Sequence, residues 1–278
     1  MVFRMLILIL ATSLFAGTVF CQQNIRDVDL RNFTYSAHCA GADPEDVTVK
    51  DDEFYEEKKE EDFVDRFFFK VIEVSYGDLT GDGREEAVVI TVCNTGGTGN
   101  FTEGFVFGIS SGKAMLLARI AGGDRAYGGL RSASVEEGTL VVETNDAGEF
   151  GGACCPEAII TTKYKVSGGK LVQTGKPERK ELYPAERLSF PKGSRGTSFT
   201  ISLEPGDRKR YVVEARTGQS LKGEVDTDKA SVRLLDNIPF TEGINNFLAR
   251  LPKTGDYTIE IENVSEDPLE VLVNIRID

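Results

Sequence analysis

From Asp65 to the C-terminus the chain alternates short aromatic and β-branched runs with tight polar breaks, and no long amphipathic helix intervenes. "DRFFFKVIEVSY", "FTEGFVFGIS", "TLVVETN" and "AIITTKYKVSGG" have the length and composition of strands. Ser111-Gly112, Glu137-Gly138 and Gly168-Gly169 are turn-makers between them. This rhythm predicts an antiparallel meander. Inside it, "AVVITVC" is apolar without a break, as a central strand buried on both faces would be.

"KPERKELYPAE", Lys176 to Glu186, is charged, carries two prolines and marks a boundary. The expected organisation is a β domain at 22–175, a linker at 176–185 and a second domain at 186–278. Strand-like segments resume beyond the linker, about eight of them, which predicts a two-sheet sandwich. In "YTIEIENV", Tyr257, Ile259 and Ile261 fall on one face, and Thr258, Glu260 and Glu262 on the other. The fold class is therefore all-β: an antiparallel meander domain followed by a small jelly-roll-like β-sandwich. Ahead of both, residues 22–45 read as irregular. "DDEFYEEKKEED", Asp51 to Asp62, reads as a wet surface, either a short helix or an exposed hairpin end.

The N-terminus points to export. Met1-Val-Phe-Arg4 precedes "MLILILATSLF" and the small residues Ala16, Gly17 and Thr18, the layout of a secretory signal peptide at 1–21. That run is too short to span a membrane, and no later segment nears the roughly 18 apolar residues a span requires. Cleavage after Cys21 exposes the polar "QQNIRD". A lipid anchor on the Cys21 thiol is the alternative, although Phe20 fits lipoprotein processing poorly. Past the signal lie Cys39, Cys93, Cys154 and Cys155, an even set that predicts disulfides in an exported chain. Three pairings exist, and Cys39 with Cys93 is the preferred one. It leaves Cys154 and Cys155 as a vicinal pair. A zinc site lacks C-x-x-C spacing, and the chain has one His. A net charge of -13 argues against nucleic acid or an anionic membrane surface as partner.

Several stretches invite chemistry. "GDLTGDGREE" follows part of a D-x-[DN]-x-[DN]-G calcium pattern, with Asp78, Thr80, Asp82 and Glu86 as ligands. Thr80 stands where an acid or amide is expected, so the reading is a structural turn first and a weak structural calcium site second. No other cofactor is expected. "CNTGGTGNFTEG" is followed by a strand and contains no Lys or Arg, which argues against a phosphate cradle. "GGDRAYGG" presents Asp124, Arg125 and Tyr127 between glycine pairs, and "NDAGEFGGACCPE" presents Phe150. Arg and aromatic residues on such loops suit partner contact, provided the two loops share one end of the sheet. The plainer reading is a wide hairpin with an internal Asp-Arg pair. His38 is the sole histidine and no G-x-S-x-G elbow exists, so a serine triad has no support. The 45 acidic residues keep an acid-pair glycoside hydrolase as an alternative, but a chain without Trp lacks the usual cleft lining.

Two resemblances follow from these strings. Residues 29–175 resemble the bacterial LppP/LprE-like secreted or lipoprotein domain through "NFTY", "YGDLTGDGREEAVV", Cys93 and "LLARI"; the resemblance implies no established activity. "GDLTGDGREEAVV" also resembles FG-GAP and VCBS loops, which implies calcium. Residues 186–278 are similar to the pre-peptidase C-terminal type of sandwich and to periplasmic inhibitors of goose-type lysozyme, through "RYVVEARTGQSL" and "FLARLPKTGDYTIEI". That similarity implies an accessory module that binds and does not catalyse. The expectation is a non-catalytic exported protein of the bacterial cell envelope, periplasmic or extracellular, that recognises a protein or glycan. A lysozyme is one candidate partner, and a purely structural envelope protein is a further alternative.

Overall fold

The computed structural model describes residues 24–59 and 64–278. The expected signal peptide and Cys21 lie outside the described residues. The chain is all-β, built from several sheets. β1 (Thr34–Ala37) and β2 (Glu45–Thr48) form a small hairpin. β3 (Glu53–Lys59), β4 (Val64–Gly77), β5 (Glu86–Asn94), β6 (Phe101–Ser110) and β7 (Lys113–Ile120) form a five-stranded meander in chain order. β8 (Tyr127–Glu136), β9 (Thr139–Asp146), β10 (Ala158–Ser167) and β11 (Lys170–Glu181) form a four-stranded one. Both residues of each turn at Ser111-Gly112, Glu137-Gly138 and Gly168-Gly169 have positive φ, the geometry that lets a two-residue turn follow the strand twist.

β5 explains why the apolar run is continuous. Ala87, Val89 and Cys93 pack with Tyr35, Phe69 and Phe105 on one face. Val88 and Ile90 pack with Val106, Leu130 and Leu140 on the other. The five-stranded sheet thus lies between the N-terminal hairpin and the four-stranded sheet. The Cys39–Cys93 disulfide, with a Cα–Cα distance of 5.8 Å, ties the N-terminal segment to the end of β5. Within Asp51 to Asp62 the described residues show strand and not helix: Glu53–Lys59 is an edge strand paired with β4. Its Glu and Lys residues are the kind that discourage pairing with another chain.

The second half has β12 (Ala185–Arg187), β13 (Gly196–Leu203), β14 (Arg208–Ala215), β15 (Ser220–Val225), β16 (Ala230–Leu234), β17 (Phe240–Glu242), β18 (Asn246–Arg250), β19 (Gly255–Asn263) and β20 (Leu269–Ile277). One sheet has the order β12-β14-β19-β16 and the other β13-β20-β15-β18-β17. From β13 onward every connection crosses between sheets, except that from β17 to β18. Tyr257, Ile259 and Ile261 face Val271, Val273 and Ile275 in the core between them.

The stretch expected as a linker is largely strand. Lys176 to Glu181 completes β11, and Pro177 sits at a register break on that edge, where its missing N–H is tolerated. The Leu182 N–H donates to the Glu157 carbonyl at 2.8 Å. β12 then joins the second half by pairing parallel to β14, while every other named strand pair among the described residues is antiparallel. No described helix is long and apolar enough to cross a membrane.

Candidate functional site

Meander topology decides which loops meet. β5, β7 and β9 end, and β6, β8 and β10 begin, at the same end of the first half. Loops 95–100, 121–126 and 147–157 gather there. The Asn100 N–H donates to the Asp124 carboxylate at 2.8 Å, and the Arg125 N–H to the Asn100 carbonyl at 3.2 Å. The Ala126 N–H donates to the Ala153 carbonyl at 3.2 Å, and Tyr127 pairs with Asp146 across β8 and β9. The "GGDRAYGG" and "NDAGEFGGACCPE" loops therefore touch.

Their side chains have different fates. Asp124 accepts from Arg125 Nε at 3.0 Å, and this bond holds its carboxyl below the usual carboxylate range. The two charges thus serve each other and the scaffold. Tyr127 projects and is 59% exposed. The turn beneath it is wound too tightly for side chains: a Cβ on Gly123 would lie 2.1 Å from the Tyr127 carbonyl oxygen, and one on Gly129 2.2 Å from that of Arg125. Phe150 is drawn elsewhere, its ring 5.6 Å from the Arg210 guanidinium in the second half.

Arg210 is the centre of a junction between the halves. It bonds Glu157 through Nη1 and, at 2.9 Å, through Nη2, and it donates from Nε to Glu260 at 2.7 Å. All three side chains are buried. Arg233 donates from Nε to the other Glu260 oxygen at 3.0 Å. Arg208 pairs with Glu262 at 3.0 Å, and the Tyr183 ring lies against Arg208 and Arg210. The register builds this ladder, because Arg208 sits opposite Glu262, and Arg210 and Arg233 flank Glu260 from β14 and β16. Burial alone would push the Glu260 carboxyl up, but bonds from Arg233 and Arg210 outweigh it and leave it lowered. Sequence reasoning placed Glu260 on the face opposite Tyr257, Ile259 and Ile261, with no partner named for it. The signal it missed is the spacing Arg208-x-Arg210 against Glu260-x-Glu262, legible only once the two strands are paired.

The vicinal pair lies on the same loop as Phe150 and Glu157. Cys154 and Cys155 are joined, Cys154 is exposed, and the Cys155 N–H donates to the Gly152 carbonyl at 2.9 Å.

The aspartate loop is at the opposite end. Asp78 accepts from the Gly81 and Gly83 N–H groups at 2.7 and 2.9 Å. Asp82 is engaged by Arg84, and buried Glu86 accepts from the Leu79 and Thr80 N–H groups at 2.8 and 3.1 Å. Burial raises the proton affinity of Glu86 further than those bonds lower it. Among the described residues no three His, Cys, Asp or Glu side chains converge as a cation would require. Asp78, Asp82 and Glu86 each accept from donors of their own loop, and the Thr80 hydroxyl donates to Glu86 at 3.4 Å. Beside them lies a cavity of about 590 Å³, with Ile25, Ile109, Met115 and Leu117 in its wall. A second cavity of about 340 Å³ adjoins His38 and Glu103. There Glu103 accepts from the His38 backbone N–H and from Arg119, and among the described residues it is the only carboxylate in that wall.

No family model matches this sequence, so the resemblances to LppP/LprE-like, FG-GAP/VCBS and pre-peptidase domains gain no support, and no curated protein matches either. Among the solved structures similar to this chain are three PliG periplasmic inhibitors of g-type lysozyme, each matching 34% of it. The Aeromonas hydrophila protein is 15% identical with a TM-score of 0.30 and is covered over 96% of its length. A mutant of the Escherichia coli protein is 17% identical and the Salmonella Typhimurium protein 19%; each is covered over 97% of its length with a TM-score of 0.28.

Proposed function

We propose that this protein is a non-catalytic, exported binding protein of the bacterial cell envelope, and that its contact surface is the loop end of the first half, centred on Tyr127. One observation carries the reading: an exposed aromatic on a turn whose backbone is bonded to two neighbouring loops. A loop backbone held in place before contact loses little freedom on binding, and tyrosine supplies much contact area for few rotatable bonds. Export is supported by the signal-like N-terminus and by the Cys39–Cys93 disulfide. The net charge of -13 favours a partner with a basic surface, since opposite fields speed encounter.

A lysozyme is the specific version of this proposal. Adding a molar excess of the mature protein to goose-type lysozyme should suppress lysis of a cell-wall suspension, and undiminished lysis removes that version. Immobilised wild-type protein should retain its partner from an envelope extract, whereas Tyr127→Ala should lose it by about 2 kcal/mol of binding. Equal retention by both ends the assignment to Tyr127. The mass of the mature protein reads whether Cys21 is lipid-modified.

A second reading, an acid-pair glycoside hydrolase, draws on the cavity beside the aspartate loop. Glu86 is pushed up there, while Asp82 and Glu85 are held down by Arg84 and Arg26. Such divergence is the pattern of an acid and a base. Against it, both Glu86 oxygens point to donors of its own loop. Release of reducing sugar from envelope glycans by wild type but not Glu86→Gln would favour this reading over binding.

A further inference from the structure

We propose that the Cys154–Cys155 pair is a thiol–disulfide exchange site that takes two electrons from a dithiol, and that its state sets the grip of the junction on Arg210. As a staple this bond does little, because a cross-link stabilises by closing a loop in the unfolded chain, and here the sequence separation is 1. Cys39–Cys93, with a separation of 54, does that work. The two bonds also differ in access. Cys39 and Cys93 are buried, whereas Cys154 is exposed, and exchange requires a thiolate to reach a sulfur.

Position supplies the consequence. Phe150 lies four residues before Cys154 and Glu157 two after Cys155, and both press on Arg210. Ala153, next to the pair, holds the Tyr127 loop through the Ala126 N–H. A ring closed across adjacent residues fixes the turn from Gly152 to Cys155, and opening it frees that turn. A thiolate of the dithiol attacks Cys154 Sγ. The bond to Cys155 breaks, and Cys155 leaves as a thiolate that takes up a proton. The second thiol of the reductant then attacks the mixed disulfide, Cys154 leaves and is protonated, and the reductant departs as its own disulfide.

The test uses the mature, oxidised protein and graded dithiothreitol, with alkylation and mass mapping. Cys154 and Cys155 should be labelled at reductant levels that leave Cys39 and Cys93 untouched. Over that window, exchange of the Leu182 amide, which is bonded to the Glu157 carbonyl, should quicken about tenfold or more. A Cys154→Ser/Cys155→Ser variant should exchange at the fast rate and ignore the reductant. Labelling of all four cysteines together, free thiols at Cys154 and Cys155 in the oxidised protein, or selective reduction with unchanged Leu182 exchange would each overturn the proposal. Should the variant fail to fold, the wild-type titration alone decides.

Discussion

Replacing Arg210 with Met removes the cation that Glu157 meets and one of the two that Glu260 meets. Methionine keeps much of the apolar volume, so the loss is chiefly electrostatic. At the 2.9 Å separation of Nη2 from Glu157, the Coulomb attraction is about 6 kcal/mol at an effective dielectric near 20. Desolvation of both groups offsets much of that, so the pair adds little beyond an apolar substitute. Breaking it is different. A carboxylate then stays buried without a counter-charge, which costs about 3–5 kcal/mol. Glu260 keeps Arg233, so most of the harm falls on Glu157. Glu157→Gln alone leaves Arg210 with Glu260 and should cost less, about 1–3 kcal/mol. In the double variant the stranded charge is gone, so the two effects should fall short of their sum by about 1–3 kcal/mol. Urea midpoints of the four proteins measure this. Because Glu157 and Arg210 belong to different halves, the Arg210→Met transition should also broaden or split. Additivity within about 0.5 kcal/mol, or a midpoint unmoved by Arg210→Met, would refute a junction held by this pair.

Glu86 titrates the other way from Glu260. Its folded carboxyl is raised, so the native state holds the proton more tightly, and its contribution to stability falls as pH rises from the ordinary carboxylate range through the folded value. Glu86→Gln should therefore gain on wild type toward neutral pH and lose that gain toward pH ~4; a difference independent of pH contradicts the burial argument. Glu260, lowered, contributes stability above the unfolded value that is lost as pH falls through the folded one. A calcium chelator should leave the melting temperature in place, since the loop carboxylates already meet N–H groups; a drop of more than about 2 °C would mean that the loop rearranges around an ion. Cys39→Ser/Cys93→Ser should cost about 4 kcal/mol from the loop it reopens, and a loss below about 1 kcal/mol would mean the unfolded chain is already constrained there.

Much of the fold was legible because its determinants are local. The three two-residue turns announce themselves, the run Ala87 to Cys93 reads as a strand covered twice, and Tyr257, Ile259 and Ile261 mark one buried face. The meeting of the "GGDRAYGG" and "NDAGEFGGACCPE" loops also follows from local facts, since a meander returns alternate turns to the same end. The junction was hidden because its partners are 50 and 53 residues from Arg210 along the chain. Alternation assigns Glu260 to the outer face correctly, but it says nothing of what covers that face. Phe150 looked like a free anchor for the same reason. β12 was missed because three residues beside a proline carry no strand signal of their own, and its parallel pairing has no turn to betray it.

The Arg210 clamp bears on how freely the parts of this chain could be shuffled during evolution. A sandwich lifted out after Leu182 would carry a guanidinium built for two acids and keep only Glu260. A new host would have to offer a carboxylate where Glu157 now stands, or the strand would have to give up its arginine. That demand falls only on a host that buries this face, because in water the guanidinium needs no second acid.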